Sequence, residues 1–326
     1  MRGGALPPGD GLLLPAPAGR ALLHRPGTPP GLRLGPGPAG RPLAARAAAA
    51  GRAETLHGAR DGLRDRAAGA PALGGLQREV PDLAPELRWT LVERGAGSLR
   101  QAVADLPAPR GQVLGCETLA EAPAMRGVFL SNELVDALPF HVLEKQGGEV
   151  LELYADEAGR ETLGPLSRKE LEPHARALAG SLEPGGRHAV SLEAGRWLEA
   201  AAAKLEAGTL LTLDYGKRFG PGDPNPPRSY RRHTTHGRLT DDPGGRDLTA
   251  PADFSFLIAR GRELGLELES FTSLSAFLLD AGILDFMPAG EGRQAFADRA
   301  RIKTLIHPEG MGEAFKALVQ SKEAAR

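Results

Sequence analysis

The chain has 326 residues, a formal net charge of -1 and a single cysteine, Cys116. The near-neutral charge gives no electrostatic case for nucleic acid or an anionic membrane as a general partner. One cysteine excludes an internal disulfide framework and a cysteine-rich zinc site, and no apolar run approaches the roughly 20 residues of a membrane span. We therefore expect a soluble cytoplasmic protein, with a mitochondrial location as the alternative.

The amino-terminal quarter differs in composition from the rest of the chain. Residues 1–79 contain no Phe, Tyr, Trp, Ile, Val, Ser, Asn or Lys, whereas Gly, Pro, Ala, Arg and Leu dominate. This composition predicts a low-complexity, poorly ordered segment over residues 1–76 that forms no ordinary strand. A GxGxxG spacing at Gly35, Gly37 and Gly40 is interpreted as chance, because no strand precedes it. The arginine content also suits a transit peptide, although the segment has no serine and no clear amphipathic pattern.

The folded domain is predicted over residues 77–326. Residues 87–93 predict a strand that ends in the carboxylate of Glu93, followed by a glycine turn and a helix over residues 98–105. A further short strand is expected near Val113. An acidic residue at the end of a strand beside a nucleotide-binding crevice commonly holds ribose hydroxyls, so Glu93 is a candidate cofactor ligand.

The stretch GVFLSNELVDALPFHV, residues 127–142, contains the strongest candidate site. Its apolar start is typical of a buried strand, and polar residues follow at the carboxyl end, where open α/β sheets bind ligands. Asn132, Glu133 and Asp136 place an amide and two carboxylates within about two helical turns. Such a set can hold hydroxyls, an amine or a cation. The alternative is that Asn132 caps a following helix and Asp136 favours its positive end.

A small antiparallel meander and then a parallel α/β unit are predicted next. The meander follows from three short apolar runs at residues 140–143, 150–155 and 161–163. A helix over residues 192–206 is predicted to stop at Gly208. The apolar strand that follows, residues 209–213, ends at Asp214, which we expect at the same ligand edge as Asn132.

The carboxyl-terminal third begins with a basic loop over residues 219–246. A loop of this kind is usually solvated, although it could also contact a substrate. His233 and His236 have an HxxH spacing that is too weak for a metal site without a third ligand, so no metal is predicted. Beyond the loop, helices are predicted at residues 251–264, 273–281 and 292–306, and strands at residues 266–271 and 315–320.

Six motifs in this order support a family resemblance: SNELVDALPFHV, LLTLDYG, RSYRRH, DLTAPADF, FLLDAGI and GMGEAFKAL. Together they resemble the MidA-like family of S-adenosylmethionine-dependent methyltransferases, whose mitochondrial members methylate an arginine of a complex I subunit during assembly. The resemblance extends from about residue 76 to the end. It implies a class I, Rossmann-like α/β fold with a mixed sheet, a small antiparallel insertion and a reversed last strand at residues 315–320.

The same resemblance implies roles for individual residues. S-adenosyl-L-methionine would be the cofactor, bound by Glu93, Asn132 and Asp214, with Glu93 on the ribose. Glu133 and Asp136 would be the catalytic residues, holding the guanidinium of a substrate arginine. Arginine stays protonated in water, so paired carboxylates are what its orientation requires. The expected partner is an arginine-containing protein, with a homo-oligomer left open.

Two classes of function remain at this point. The first is a methyltransferase that acts on a protein arginine, and the second is a non-catalytic assembly or binding protein that keeps the fold without cofactor. A serine hydrolase is a poor third, because no GxSxG elbow is present. The family's glycine loop after a first strand is missing before Val80, which favours the second class for this chain.

A frame change in the gene would explain the unusual amino-terminal segment. Residues 22–30 and 57–69 can each be written with codons that, read one nucleotide later, give FYTAPELHP and TVREMGYGTGLL, which resemble family motifs. We therefore hypothesise that residues 1 to about 75 are an out-of-frame translation. Resequencing the gene tests this, and an unambiguous reading frame without a compensating change would refute it.

Overall fold

The computed structural model describes residues 55–59, 87–106, 112–156, 159–231, 234–236, 238–240, 246–307 and 309–324. Within these ranges the strands are β1 (Thr55–Ala59), β2 (Trp89–Val92), β3 (Val113–Cys116), β4 (Met125–Asn132), β5 (His141–Gln146), β6 (Glu149–Ala155), β7 (Glu161–Gly164), β8 (Arg187–Val190), β9 (Leu205–Lys217), β10 (Arg228–Arg231), β11 (Thr234–His236), β12 (Asp247–Thr249), β13 (Ala252–Asp253), β14 (Glu267–Ser273) and β15 (Phe315–Lys322). The helices are α1 (Ala96–Asp105), α2 (Glu172–Ala179), α3 (Leu192–Lys204), α4 (Phe254–Glu263), α5 (Leu274–Asp280), α6 (Arg293–Ile306) and α7 (Met311–Ala314). None of the helices in these ranges has the length and apolar character to cross a membrane.

The main sheet has the strand order β14-β15-β9-β4-β1-β2-β3, with the short β13 paired to β9. Strands β1 to β4 and β9 run parallel, whereas β15 is antiparallel to both β9 and β14. The predicted mixed sheet with a reversed last strand is therefore confirmed. The order places β1, β4 and β9 at the centre, where the carboxyl ends of parallel strands form a ligand-binding edge.

Both faces of the main sheet are covered by helices. In β9, Leu210 and Leu211 point to opposite faces and are both fully buried. Leu210 packs in the cluster that holds α3 and α4, where Trp197 meets Phe129 of β4 edge to face at 6.3 Å. Leu211 packs in the cluster that holds α5 and α6. Burial on both faces explains why the central strands read as continuous apolar runs.

Strand β1 corrects the expectation that residues 1–79 form no ordinary strand. Thr55–Ala59 pairs in parallel with β2 on one side and with β4 on the other. Hydrogen bonding from two neighbours decides this position, because strand preference depends more on context than on intrinsic propensity. The rest of residues 1–76, including the GxGxxG spacing and the proposed domain boundary, lies outside the described residues.

Gly208 also has a different role from the one predicted. The helix α3 ends at Lys204 and β9 begins directly at Leu205, so Gly208 lies inside a strand instead of stopping a helix. Its φ is 126°, a backbone conformation that glycine adopts readily. A Cβ at this position would collide with the carbonyl oxygen of Gly127 on β4. Gly208 therefore permits the close approach of the two central strands.

Two smaller sheets are inserted around the central strands. The insertion sheet has the order β7-β6-β5-β8 and contains the predicted meander, with β8 as an additional strand that sequence reasoning missed. A second sheet, β11-β10-β12, has two strands inside the segment predicted as a basic loop, residues 219–246, and its third strand, β12, directly after that segment. His233 of the HxxH spacing lies outside the described residues.

Candidate functional site

The register of the central strands brings the predicted site residues to one edge. One row of paired residues crosses β2, β1, β4 and β9 at the same level of the sheet. It consists of Val92, Ala59, Ser131 and Thr212. Glu93 and Asn132 each follow one residue later. Because adjacent strands lie about 4.8 Å apart, their backbones are separated by roughly 10 Å, with β1 between them.

The site turn, residues 132–137, leaves the end of β4 with an unusual backbone. Glu133 has φ 52°, in the left-handed region, and it is the one non-glycine residue with positive φ among those described. Its N–H donates to the carbonyl of Leu213 at 2.9 Å, and Asn132 Nδ2 donates to Glu133 Oε1 at 3.2 Å. A single 3-10 turn, Val135–Ala137, follows.

The alternative in which Asn132 caps a helix is therefore wrong. The residue at the cap position is Leu134, and no side-chain cap is present there. Leu138 is extended because it precedes Pro139, which prevents the turn from growing into a helix. Asn132 therefore does not cap a helix, whereas Asp136 does lie in the first turn of the 3-10 helix.

Asp214, from β9, fixes the site turn. Its side chain is 0% exposed, and its Oδ2 accepts N–H bonds from Val135 at 2.7 Å, Leu134 at 3.2 Å and Asp136 at 3.4 Å. Oδ1 accepts from the N–H of Tyr215 at 2.8 Å. The sequence predicted Asp214 as a cofactor contact, but the structure buries it beneath the turn that carries Glu133 and Asp136.

Asp136 and Asp214 form a carboxyl pair. Burial, together with the negative charge of Glu133, raises the pKa of Asp136 to about 7, although its hydrogen bond with Asp214 acts in the opposite direction. Burial and the charge of Asp136 raise the pKa of Asp214 well above its usual range. Two carboxyl groups this close cannot both ionise readily, so the pair holds a proton near neutral pH.

Glu93 lies at the carboxyl end of β2 and is 3% exposed. Its Oε1 accepts a hydrogen bond from the N–H of Gly95 at 2.8 Å, which orients the carboxylate. A Cβ on Gly95 would lie 3.0 Å from this oxygen, so glycine leaves room beside it. A carboxylate held here can accept hydrogen bonds from hydroxyl groups, which suits the ribose of a nucleoside cofactor.

Hydrogen bonds from the start of α3 and from the segment after β12 hold the chain at and just beyond the site turn. Ser191, at the start of α3, donates to the carbonyl of Pro139 at 2.8 Å, and the N–H of Ala250 donates to the carbonyl of Asp136 at 3.0 Å.

In the insertion sheet, His141 Nδ1 lies 2.7 Å from Glu152 Oε1, and both residues are buried. The sequence did not predict this pair, because the only local signal was a single histidine after the LPF motif and its partner lies 11 residues away. No group of three metal-ligating side chains occurs in the described ranges.

Comparison with known proteins gives concordant matches. Residues 69–272 match the model of a family described as "Putative S-adenosyl-L-methionine-dependent methyltransferase". The chain is 30% identical over 210 residues to protein arginine methyltransferase NDUFAF7, mitochondrial, of Danio rerio, covering 61% of this chain and 48% of that protein. The Drosophila melanogaster homologue is 30% identical over 147 residues, covering 43% and 33%. The chain thus spans half or less of the length of the curated relatives it matches.

Solved structures give matching folds. A protein from Burkholderia thailandensis is similar with a TM-score of 0.71 and 26% identity, covering 87% of this chain and 78% of that one. A second structure from this organism, bound to S-adenosyl-homocysteine, gives a TM-score of 0.70 and 26% identity, covering 87% and 75%.

The expected cytoplasmic location is contradicted by these comparisons. The fish, fly, nematode and frog relatives are each named as mitochondrial proteins. Net charge and composition govern solubility and association, not the compartment in which a folded domain works, so they could not support the expectation.

Proposed function

Because the chain belongs to this family of S-adenosylmethionine-dependent methyltransferases, as its motifs predicted, we propose that it transfers a methyl group to an arginine of a protein substrate. The observation that carries the proposal is the site turn, which Asp214 holds at the carboxyl end of β4 through three backbone N–H groups. This position is next to β1, at the centre of the ligand edge. Arginine as the acceptor follows from the carboxylates of the turn and from the names of the curated relatives.

Glu93 and Asn132 are suited to hold the cofactor. The N–H of Gly95 fixes the carboxylate of Glu93, whose oxygens can accept hydrogen bonds from ribose hydroxyls. Asn132 directly follows Ser131, the last residue of β4 that pairs with β1. Strand β1 lies between β4 and β2 at the ligand edge, where this kind of sheet binds its ligand. The segment after β1, where the family has its glycine loop, lies outside the described residues. The chemistry that S-adenosyl-L-methionine supplies when bound is an electrophilic methyl group.

Glu133 and Asp136 are assigned to the acceptor. A guanidinium carries five N–H donors in a fixed plane, so two carboxylates can orient it and leave one nitrogen directed at the methyl group. The backbone of Glu133 is in the left-handed region, and Asn132 Nδ2 donates to its Oε1. Strain of this kind persists where the surroundings fix it, which is common at functional sites.

Asp136 can also accept the proton that the reaction releases. A methylated arginine remains a cation, so one N–H proton must leave the attacking nitrogen. The pKa of Asp136, raised to about 7, matches a proton acceptor that works near neutral pH. Asp214 acts on this step indirectly, by positioning the turn and sharing the proton of the pair.

Transfer of a labelled methyl group to an arginine peptide tests the proposal. The full chain should methylate this peptide and not its lysine counterpart. Replacing Glu133→Gln should slow transfer about ten- to hundredfold, because a charge-assisted hydrogen bond contributes about 1.5–3 kcal/mol. Glu170→Gln is the matched control, since Glu170 is exposed and pairs with Arg196 at the surface. Equal rates for the two variants, or transfer to lysine, would refute the assignment.

A further inference from the structure

A cavity of about 40 Å³ lies behind the site turn, where the insertion sheet meets the amino-terminal ends of α3 and α4. Val135 of the site turn, His188 of β8, Asn225 and Asp253 are among the residues that line it. At roughly 10–15 Å³ for each water-sized volume, the cavity has room for about three or four non-hydrogen atoms. Its polar side chains take no part in the methyl transfer proposed above.

Asn225 presents an unpaired acceptor in this cavity. The residue is 2% exposed, and it is fixed because Nδ2 donates to the carbonyl of Pro251 at 3.0 Å. Its backbone N–H donates to the carbonyl of Arg187 at 3.0 Å, and its carbonyl accepts from Ala189 at 2.8 Å. Oδ1, in contrast, has no hydrogen-bond partner. A buried acceptor is costly to leave unpaired, so this site calls for a donor.

Asp253 supplies a second acceptor among the residues that line the cavity. His188, another lining residue, is fixed because its Nδ1 donates to the carbonyl of Asp223 at 2.9 Å. Asp253 caps α4 by accepting from Phe256 N–H at 3.1 Å. Burial raises the pKa of Asp253, although the charge of His188 lowers it, and a bound cation would keep this carboxylate ionised.

An aromatic wall completes the lining. The rings of His174 and Phe256 have centroids 6.0 Å apart, and their planes are tilted by 57°. Burial, and then the proximity of His188, lower the pKa of His174, so this ring is neutral at neutral pH. The cavity therefore combines one unpaired amide oxygen and a carboxylate with aromatic ring surface, which suits a planar cation.

We propose that the cavity binds the guanidinium of a second arginine in the protein substrate, close to the one that is methylated. A guanidinium has four non-hydrogen atoms, donates in several directions and packs its face on aromatic rings. Val135 belongs to both the cavity lining and the site turn, so the two sites are adjacent, at the separation of neighbouring side chains in one peptide segment. The identity of the ligand as part of the substrate rests on the proposed function.

Histidine ring NMR signals of the full chain provide the test. The protein carries Glu133→Gln, which weakens binding at the site turn, and it is titrated with methylguanidinium and with methylurea, its neutral isostere. We expect saturable shifts of the His174 and His188 signals, with methylguanidinium binding at least about tenfold tighter than methylurea. Absence of saturation, or equal affinity for methylurea, means a water-filled polar cavity and overturns the proposal.

A comparison of Asp253→Asn with Glu263→Gln distinguishes the loss of a carboxylate in the cavity from the loss of a carboxylate at the surface. Asn still caps a helix, so Asp253→Asn should fold and should weaken methylguanidinium binding about tenfold. Glu263 ends the same helix, pairs with Arg260 and is exposed, so its replacement removes the same charge without an effect on the cavity. Equal affinities of the two variants would contradict the assignment.

Peptides then distinguish a substrate arginine from a free cation. A two-arginine peptide should shift the same histidine signals, and its version with one arginine should shift them less. If methylguanidinium binds but neither peptide moves these signals, the substrate assignment is overturned. Methyl transfer without cavity binding would refute this inference alone, whereas cavity binding without methyl transfer would refute the proposed function.

Discussion

Asp214 at the site turn and Glu152 in the insertion sheet are both 0% exposed, yet their surroundings are opposite. Burial would raise the pKa of Glu152, but hydrogen bonds from His141 and Ser167 outweigh it and lower the pKa below its usual value. Asp214 faces Asp136 instead, so burial and like charge both raise its pKa. The depth of burial is the same, and the partner decides whether the carboxylate is a fixed ion or part of a proton-holding pair.

Glu152 therefore has a structural role, whereas Asp214 has a role at the candidate functional site. Glu152 accepts from the N–H of Ser167 at 2.6 Å and from its hydroxyl at 3.1 Å, in addition to the bond with His141, so the charge is fully solvated by the protein. That arrangement holds the insertion sheet together. Asp214 positions the site turn, and its raised pKa means that the pair it forms with Asp136 retains a proton that can titrate. Carboxyl groups with strongly raised pKa values are common at functional sites.

Removing the histidine that contacts Glu152 in the insertion sheet should have the largest effect on stability. His141→Ala leaves the buried carboxylate of Glu152 without the hydrogen bond at its Oε1, and we expect the free energy of unfolding to fall by about 3–5 kcal/mol. Urea denaturation of the full chain measures this. Arg160→Ala is the control, because Arg160 is 76% exposed in its pair with Asp156 and should contribute no more than about 1 kcal/mol. Equal losses would deny that burial makes the difference.

Asp214→Ala should have the next largest effect. It leaves the N–H groups of Leu134 and Val135 without their acceptor, so we expect a loss of about 2 kcal/mol and at least tenfold slower methyl transfer. Asp214→Asn keeps an acceptor oxygen and removes the repulsion with Asp136. Its stability should stay within about 1 kcal/mol of the wild type. If the asparagine variant is as unstable as the alanine variant, the negative charge and not the hydrogen bonds holds the turn.

The pH dependence of stability should have opposite signs in the two regions. The pKa of Asp136 rises from 3.8 to about 7 on folding, so its stabilising contribution is fully present below 3.8 and is lost as the pH rises through about 7. The contribution of Glu152 is present above its unfolded pKa of 4.5 and is lost as the pH falls through its lowered folded pKa. Urea midpoints from pH 4 to 8 should thus decline with rising pH in the wild type and decline less steeply in Asp136→Asn, where only the burial of Asp214 still raises a pKa. An unchanged slope in that variant would rule out the carboxyl pair as its source.

The smallest predicted effect concerns a neutral donor to Glu152. Ser167→Ala removes the hydroxyl but keeps the backbone N–H bond, so we expect a loss of about 1 kcal/mol. Ser181→Ala is a suitable comparison, because the hydroxyl of Ser181 bonds to the carbonyl of Ala177 at the surface. Identical unfolding midpoints for the two variants would show that the hydroxyl does not help to hold the charge.

Much of the fold could be predicted from the sequence. The apolar runs that end at Glu93, Asn132 and Asp214 identified three strands of the main sheet and their shared edge, because continuous apolar runs followed by polar residues are typical of buried parallel strands. The motif resemblance then fixed the reversed position of β15. Periodicity alone could not have supplied that pairing.

The missed features all depend on contacts that are distant in the sequence. Asp214 and Val135 are 79 residues apart, so no local pattern indicates that this carboxylate accepts hydrogen bonds from the backbone of the site turn. Strand β1 has little strand propensity and is held by its neighbours, and Gly208 looked like a helix stop because the strand it belongs to starts without a loop. The out-of-frame origin of residues 1 to about 75 stays a prediction.

Titration of the full chain with S-adenosyl-L-methionine by isothermal calorimetry shows whether this protein binds the cofactor of a methyltransferase. We expect saturable one-to-one binding that Glu93→Gln weakens about ten- to hundredfold, since glutamine keeps the bond from Gly95 but loses the charge offered to the ribose. An absence of binding by the wild-type chain would refute the proposed methyl transfer and would favour a non-catalytic binding protein that keeps this fold.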